Sequence, residues 1–303
     1  MKLVNQRFEI LEQKDFSLKG IKQFIERCGR VCYKSEDKIT DDSYEKFVNM
    51  LEKRDHARPL EFGTVHLKID SGVLFEKFLQ DLVDCELYNP TWIKYKKLPE
   101  YTYITTNYRH YLQIIKKCPY VAEYFTEQDN CYYPSRYTVH FITSRGIMDE
   151  FRTHVSLSHL AESTRYCNYS KDKFNNELTF IIPCWMDIPE GSINLGNYDK
   201  TSAGYNDGNI HIIDNKPPYV GVDFIRSLCE AEYSYLSIIR NGWVPQQARE
   251  VLPLGIKSEL ISCGFEDAWS NFFYRRCAKD AHPMAREIAI PLQERFKEYK
   301  SWL

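Results

Sequence analysis

Residues 145–171 read RGIMDEFRTHVSLSHLAESTRYCNYSK, and no ordinary core helix gathers so many polar side chains in one place. If the stretch continues as a helix from the strand-like YTVHFITS at 137–144, then Glu150, His154, Ser158, Ala161 or Glu162, and Arg165 fall on one side. Phe151, Val155 and Leu160 lie off that stripe and are free for core contacts. The stripe then faces either solvent, as charged helix faces commonly do, or a ligand. Its end favours an anion. Ser163 and Arg165 stand two apart in a turn, so a guanidinium fork can supply charge and direction while a hydroxyl fills a remaining oxygen.

The remaining sequence bounds the problem. A chain of 303 residues with 43% hydrophobic and 15% aromatic content has ample material for a packed core. A formal charge of -2 argues against a general nucleic-acid surface, which needs uncompensated Lys and Arg. Ten cysteines with no C-x-x-C pair read as reduced, packed thiols, with neither a disulfide framework nor a metal site, and make the cytoplasm the default compartment. No apolar run approaches a spanning helix, so no membrane is expected.

Working outward, MKLVNQRFEIL reads as a strand, and SLKGIKQFIERCGRVCY as a helix with Ile21, Phe24, Ile25, Cys28 and Cys32 on its core face. A second helix follows Asp41 and Asp42. His56 and Glu61 flank a Pro turn before an alternating strand from Thr64 to Ile69. Residues 71–135 read as a helical, aromatic-rich segment, an insertion or a subdomain. Residues 188–220 form a polar loop rich in Gly, Asn and Pro, either a lid or a linker. ELTFIIP at 177–183 and GIKSELISC at 255–263 read as strands, and the helix Asp223 to Arg240 stops at Asn241-Gly242. In the helix around WSNFFYRR, Trp269, Phe272, Phe273 and Arg276 share one face, while Arg275 does not. An arginine on an apolar face either snorkels from the helix end or meets a ligand.

Three separated segments together resemble the flavin-dependent thymidylate synthases: ESTRYCNYSK at 162–171, GWVPQQAREVLP at 242–253, and WSNFFYRRCAKDAHPMAREIA at 269–289. HARPLE at 56–61 resembles that family's flavin-side segment more loosely. The family's Arg-His-Arg signature, aligned on Ser163 and Arg165, reads Thr153, His154 and Val155 here, with Arg152 one residue early. Its glutamate has no match at Ala161, although Glu162 is adjacent.

The resemblance implies an α+β fold, a twisted, mainly antiparallel sheet flanked by helices, in one domain over 1–303, assembled as a homotetramer with shared active sites. It implies reductive methylation of dUMP to dTMP, with 5,10-methylenetetrahydrofolate as carbon donor and FAD and NADPH supplying the reductant. Arg276 matches the arginine that activates the uracil ring, and Glu150, Glu162, Ser163, Arg165 and Arg249 join it in holding dUMP. His56, Glu61, Arg152, His154 and Asn271 fall to FAD, and no metal is implied. The altered signature leaves two other readings open: a related flavoenzyme that modifies pyrimidine C5 differently, for instance by hydroxymethylation, and a catalytically silent nucleotide-binding paralogue.

Overall fold

The computed structural model describes residues 1–54, 56–192, 211–212 and 219–301. The opening strand is two strands, β1 (Lys2–Val4) and β2 (Arg7–Leu11). Asn5 and Gln6 separate them, and the Gln6 amide donates to the Met284 carbonyl at 2.7 Å and accepts from the Thr143 hydroxyl at 2.8 Å. Helix α1 (Leu18–Tyr33) starts where the Ser17 hydroxyl accepts from the Gly20 amide, a side-chain N-cap. It buries Ile21, Phe24, Ile25, Cys28 and Cys32, as their spacing predicts. Helix α2 (Ser43–Lys53) packs against it through Phe47, Val48 and Leu51.

The next stretch differs from its sequence reading. Strand β3 (Thr64–Asp70) is followed by α3 (Val73–Asp84), β4 (Ile93–Lys97), β5 (Tyr101–Asn107), α4 (Tyr108–Lys117) and β6 (Phe125–Thr126). The strands form an antiparallel sheet in the order β4-β5-β3-β6, a split βαβ unit. Residues 71–135 are therefore not the helical insertion expected. YTYITTN carries β-branched and aromatic residues with a period of two, and Thr102, Ile104 and Thr106 all turn inward. Val65, Leu67, Ile69 and Ile104 pack under Phe75, Phe78, Leu82 and Ile114 of the two helices.

Then come β7 (Arg136–Ser144), α5 (Arg145–Phe151) and β8 (Ser158–Ala161), followed by the short strands β9 (Thr179–Ile181), β10 (Met186–Asp187), β11 (Gly191–Ser192) and β12 (His211–Ile212). The chain ends with α6 (Tyr219–Arg240), α7 (Pro245–Ala248), β13 (Lys257–Phe265), α8 (Glu266–Arg276) and α9 (Pro283–Ser301). A central antiparallel sheet runs β2-β7-β13-β8. Strand β13 is covered on both sides, which is why it is nearly continuous in buried residues. Leu260, with Val139 and Phe141, faces Trp269, Phe272, Leu292 and Phe296 of α8 and α9; Ile261 and Cys263, with Leu11 and Leu160, face Phe24 and Cys28 of α1. Strand β1 pairs parallel to β9 and antiparallel to β11, and Leu3 and Phe180 pack with Ile225 and Leu228 of α6. The architecture is α+β, antiparallel sheets flanked by helices, with one parallel pair among the described residues.

The long polar helix predicted from 145 to 165 does not form. α5 starts on the Ser144 hydroxyl and stops at Phe151. The edge of β13 then captures Ser158–Ala161, pairing Leu260 with Ala161 and Ser262 with His159. Ser158 and Leu160 turn inward at the strand period, and a helix would have left that sheet edge unpaired. Most of the polar loop read at 188–220 lies outside the described residues. Among the described residues, no helix is long and apolar enough to cross a membrane.

Candidate active site

α8 and the turn after α5 build the site. Trp269 and Phe272 anchor α8 in the core, and the Trp269 indole donates to the Tyr137 carbonyl at 3.1 Å. Arg276, in the last turn, is thereby aimed at residues 150–154. Its Nε donates to His154 Nε2 at 2.9 Å, Nη1 to Glu150 Oε2 at 2.7 Å, and Nη2 to the Glu150 carbonyl at 2.5 Å and the Thr153 hydroxyl at 3.0 Å. A guanidinium has five N–H donors. Among the described residues four serve the chain itself, and a single Nη1 N–H is left to spare.

His154 is buried under Phe272 at 5.0 Å between ring centroids. Burial first, then the positive charge of Arg276, and then His159 and Arg275, bring its pKa down to about 4. The ring is neutral, and because Nε2 accepts from Arg276 its proton sits on Nδ1. His159 supports this turn from behind, Nε2 on the His154 carbonyl at 3.0 Å and Nδ1 on the Ser262 hydroxyl at 2.9 Å. In front of Arg276 opens a cavity of about 790 Å³ lined by Glu150, Thr153, His154, Asn271, Arg275 and Arg276, with Tyr274, Asp280 and His282 at its edges. Four of the residues singled out in the sequence, Glu150, His154, Asn271 and Arg276, thus meet in one place.

The others lie elsewhere. Glu162 is fully buried, accepts from Tyr169 at 3.1 Å, and is paired with Lys257 at 3.0 Å. Lys257 also holds Glu259 at 2.6 Å, and Glu259 in turn contacts His140 and Lys34. Burial alone would raise the Glu259 pKa, but the His140 hydrogen bond and the two lysines outweigh it and hold the carboxyl far below the usual range. This clasp carries the 162–166 loop. Ser163 donates its amide to the Cys32 carbonyl, and Tyr166 lies 6.2 Å from Tyr33. Arg165 is exposed beside the Tyr166 ring, and Arg249 pairs with its neighbour Glu250. Neither lines the cavity in front of Arg276.

Of the expected flavin residues, His154 and Asn271 lie on the cavity. Arg152 is exposed and pairs with Asp149 at 3.3 Å, and His56 is exposed. Glu61 is wholly buried, taking Arg109 at 2.7 Å on one oxygen and the Ser158 hydroxyl at 2.5 Å on the other. Its backbone carbonyl accepts from Arg136 at 2.8 Å. It is a junction between α4, β7 and β8 with no oxygen facing the cavity. The polar lining and volume on the α8 side, with Asn271 in it, are compatible with a flavin edge, and Glu61 does not line that cavity.

Arg275, Thr153 and Lys257 were not read as site residues. Arg275 carried a usable signal, since Asn271, Arg275 and Ala278 recur at helical spacing and all line the cavity. Thr153 stood at the first position of the altered signature but was read only as a loss there, and Lys257 carried no signal, because each acts through a partner far away in the sequence. Among the described residues, no group of His, Cys, Asp and Glu is arranged to hold a metal ion. Burial pushes the Cys32 and Cys167 thiols up to about 12, so both are protonated packing groups.

No curated protein matches the chain. Two solved structures of a UMP/dUMP methylase, PolB from Streptomyces cacaoi, bound with 5-Br dUMP or 5-Br UMP, are similar to it at 13% identity and a TM-score of 0.43. They cover 98% of this chain and 93% or 92% of their own, a likeness too distant to bear on substrate or site. Residues 134–299 match the family model of the thymidylate synthase complementing protein, which spans more than half of the chain and all three segments whose motifs resemble that family, and the chain belongs to it.

Proposed function

We propose that the protein methylates dUMP at uracil C5, taking the carbon from 5,10-methylenetetrahydrofolate and the hydride from FAD reduced by NADPH. The observation that carries this reading is Arg276, fixed by Glu150, Thr153 and a neutral His154 at the wall of a cavity large enough for a nucleotide base beside a second ring system. Uracil C5 is a weak nucleophile. It gains strength when negative charge on the neighbouring carbonyl and N3 is stabilised, and a guanidinium held in place beforehand does this without reorganising in the transition state. The free Nη1 N–H is the donor available to the ring. The Glu150 carboxylate, on a side chain 36% exposed, is the group a bound pyrimidine would displace or bridge. His154 stays neutral and keeps Arg276 from rotating away.

FAD, when bound, supplies the hydride chemistry, and Asn271 and the His154 turn would hold it on the cavity side. Ser163, Arg165 and Arg249 are assigned to the nucleotide phosphate and sugar. They do not line the same cavity within one chain. A homotetramer in which neighbouring copies complete each site would bring them together, and Val155 and Tyr274 by the cavity are exposed and available to such a contact.

Thr153 and Val155 stand where the family has arginines, and this keeps a different C5 outcome as the second reading. Incubation with dUMP, methylenetetrahydrofolate, FAD and NADPH, read by product mass, separates them. A methyl gain supports the proposal, a hydroxymethyl gain replaces it with the second reading, and no product with tight dUMP binding points to a silent paralogue.

A further inference from the structure

Arg275 is the unassigned group of this cavity. It follows Arg276 directly but points off the apolar face of α8, is exposed, and lines the cavity with Asn271 one helical turn before it. Arg276 has one N–H to spare, whereas Arg275 has no ion pair or hydrogen-bond partner among the described residues. The lining holds two carboxylates. Glu150 is spent on Arg276, and Asp280 makes no ion pair with either arginine.

We propose that Arg275 is an oxyanion-binding residue, taking a phosphate or carboxylate of a ligand that enters this cavity and setting a preference for anionic over neutral occupants. A planar fork with five donors binds either group bidentately. Two adjacent guanidiniums also repel each other: the charge of Arg275 lowers the proton affinity of both His154 and Arg276, and an anion in front of Arg275 would relieve that repulsion. This deepens the functional reading above and rests on it for the candidate ligands. Those are dUMP through its phosphate, methylenetetrahydrofolate through its glutamyl carboxylates, and NADPH through its phosphates.

The test titrates each of the three against the wild-type protein and the Arg275→Gln, Arg275→Lys and Asp280→Asn variants. One charge-assisted contact corresponds to a loss of about ten- to hundred-fold in affinity. The expected result is that loss in Arg275→Gln for one ligand only, a smaller loss in Arg275→Lys, and tighter binding of the same ligand in Asp280→Asn. Which ligand responds identifies the source of the oxyanion. Unchanged affinities for all three, or equal losses for all three, overturn the proposal.

A second measurement does not depend on turnover. Phenylglyoxal should label Arg275 faster than Arg276, with mass spectrometry locating the adduct, and inorganic pyrophosphate should slow the labelling of Arg275. Equal labelling with and without pyrophosphate also overturns it. Protection of Arg275 in a protein that makes no methylated product would leave this inference standing and sink the enzymatic reading.

Discussion

Arg276 and His154 show how much a single residue depends on its neighbours. Arg276→Ala removes a positive charge and also four hydrogen bonds that close the turn after α5. Loss of methylation is therefore informative only beside a stability measurement. Arg276→Lys keeps the charge but cannot span the same acceptors, and it is expected to cut kcat by about 10²–10³, the usual worth of one preorganised donor. Its thermal midpoint should stay within a few degrees of wild type. Normal kcat per folded molecule would mean that the arginine merely snorkels. Histidine chemistry gives a second expectation. Burial, ahead of nearby positive charges, holds His66, His154 and His159 at a pKa of about 4 against an ordinary 6.5. Between those values the unfolded chain binds more protons than the folded one. Stability is thus full above about pH 6.5, falls with pH through the window, and levels off below about 4 as far as these groups are concerned. Each depressed histidine contributes roughly 3 kcal/mol to that fall over the whole window. Denaturant midpoints at pH 7.5, 6 and 5 check it, and a flat profile would refute the buried neutral state.

At the scale of elements, the sequence was legible wherever one element buries one face. The α1, α2 and α6 helices follow their periodicity because packing and pattern agree, and β13 was legible as a strand although, covered on both sides, it buries both faces. The stretch after α5 was misread because its polar residues serve three different purposes: Glu150 on a helix, His154 in a turn, and Glu162 in a buried clasp. No local period can express a strand captured by the edge of β13, a partner about a hundred residues away. The clasp makes an element-scale prediction. Lys257 lies between Glu162 and Glu259, and burial, which would lower its pKa, is outweighed by the two carboxylates. Lys257→Met would strand Glu162 without a cation, and breaking such a pair costs about 3–5 kcal/mol. Adding Glu162→Gln should recover part of that loss, because the orphaned charge is gone. A double-mutant cycle read from urea midpoints decides it: simple additivity would show that the two residues are not coupled.

For the whole molecule, the family motifs fixed the α+β class, but no motif pointed to the split βαβ unit over residues 64–126, whose order is set by non-local pairing of β3 with β5 and β6. We regard that unit as part of one domain, because Glu61 ties α4 to β8 of the central sheet through Arg109 and Ser158. The candidate site residues were likewise brought together only in part. Glu150, His154, Asn271 and Arg276 meet on one cavity, whereas Ser163, Arg165 and Arg249 present themselves elsewhere on the same chain. If the halves belong to sites shared between copies, an Arg276→Ala chain and an Arg165→Ala chain each lack a different half. Mixed oligomers then contain sites in which both lesions fall together and sites in which neither does. Each variant alone should be inactive, and refolding or co-expressing the two should restore activity to about a quarter of wild type if copies assort at random, the statistical share of sites built from two intact halves. An inactive mixture, with hybrid oligomers verified by native mass spectrometry, would place all the site residues within single chains, and the separation of Arg165 and Arg249 from Arg276 would then argue against nucleotide binding by those two arginines.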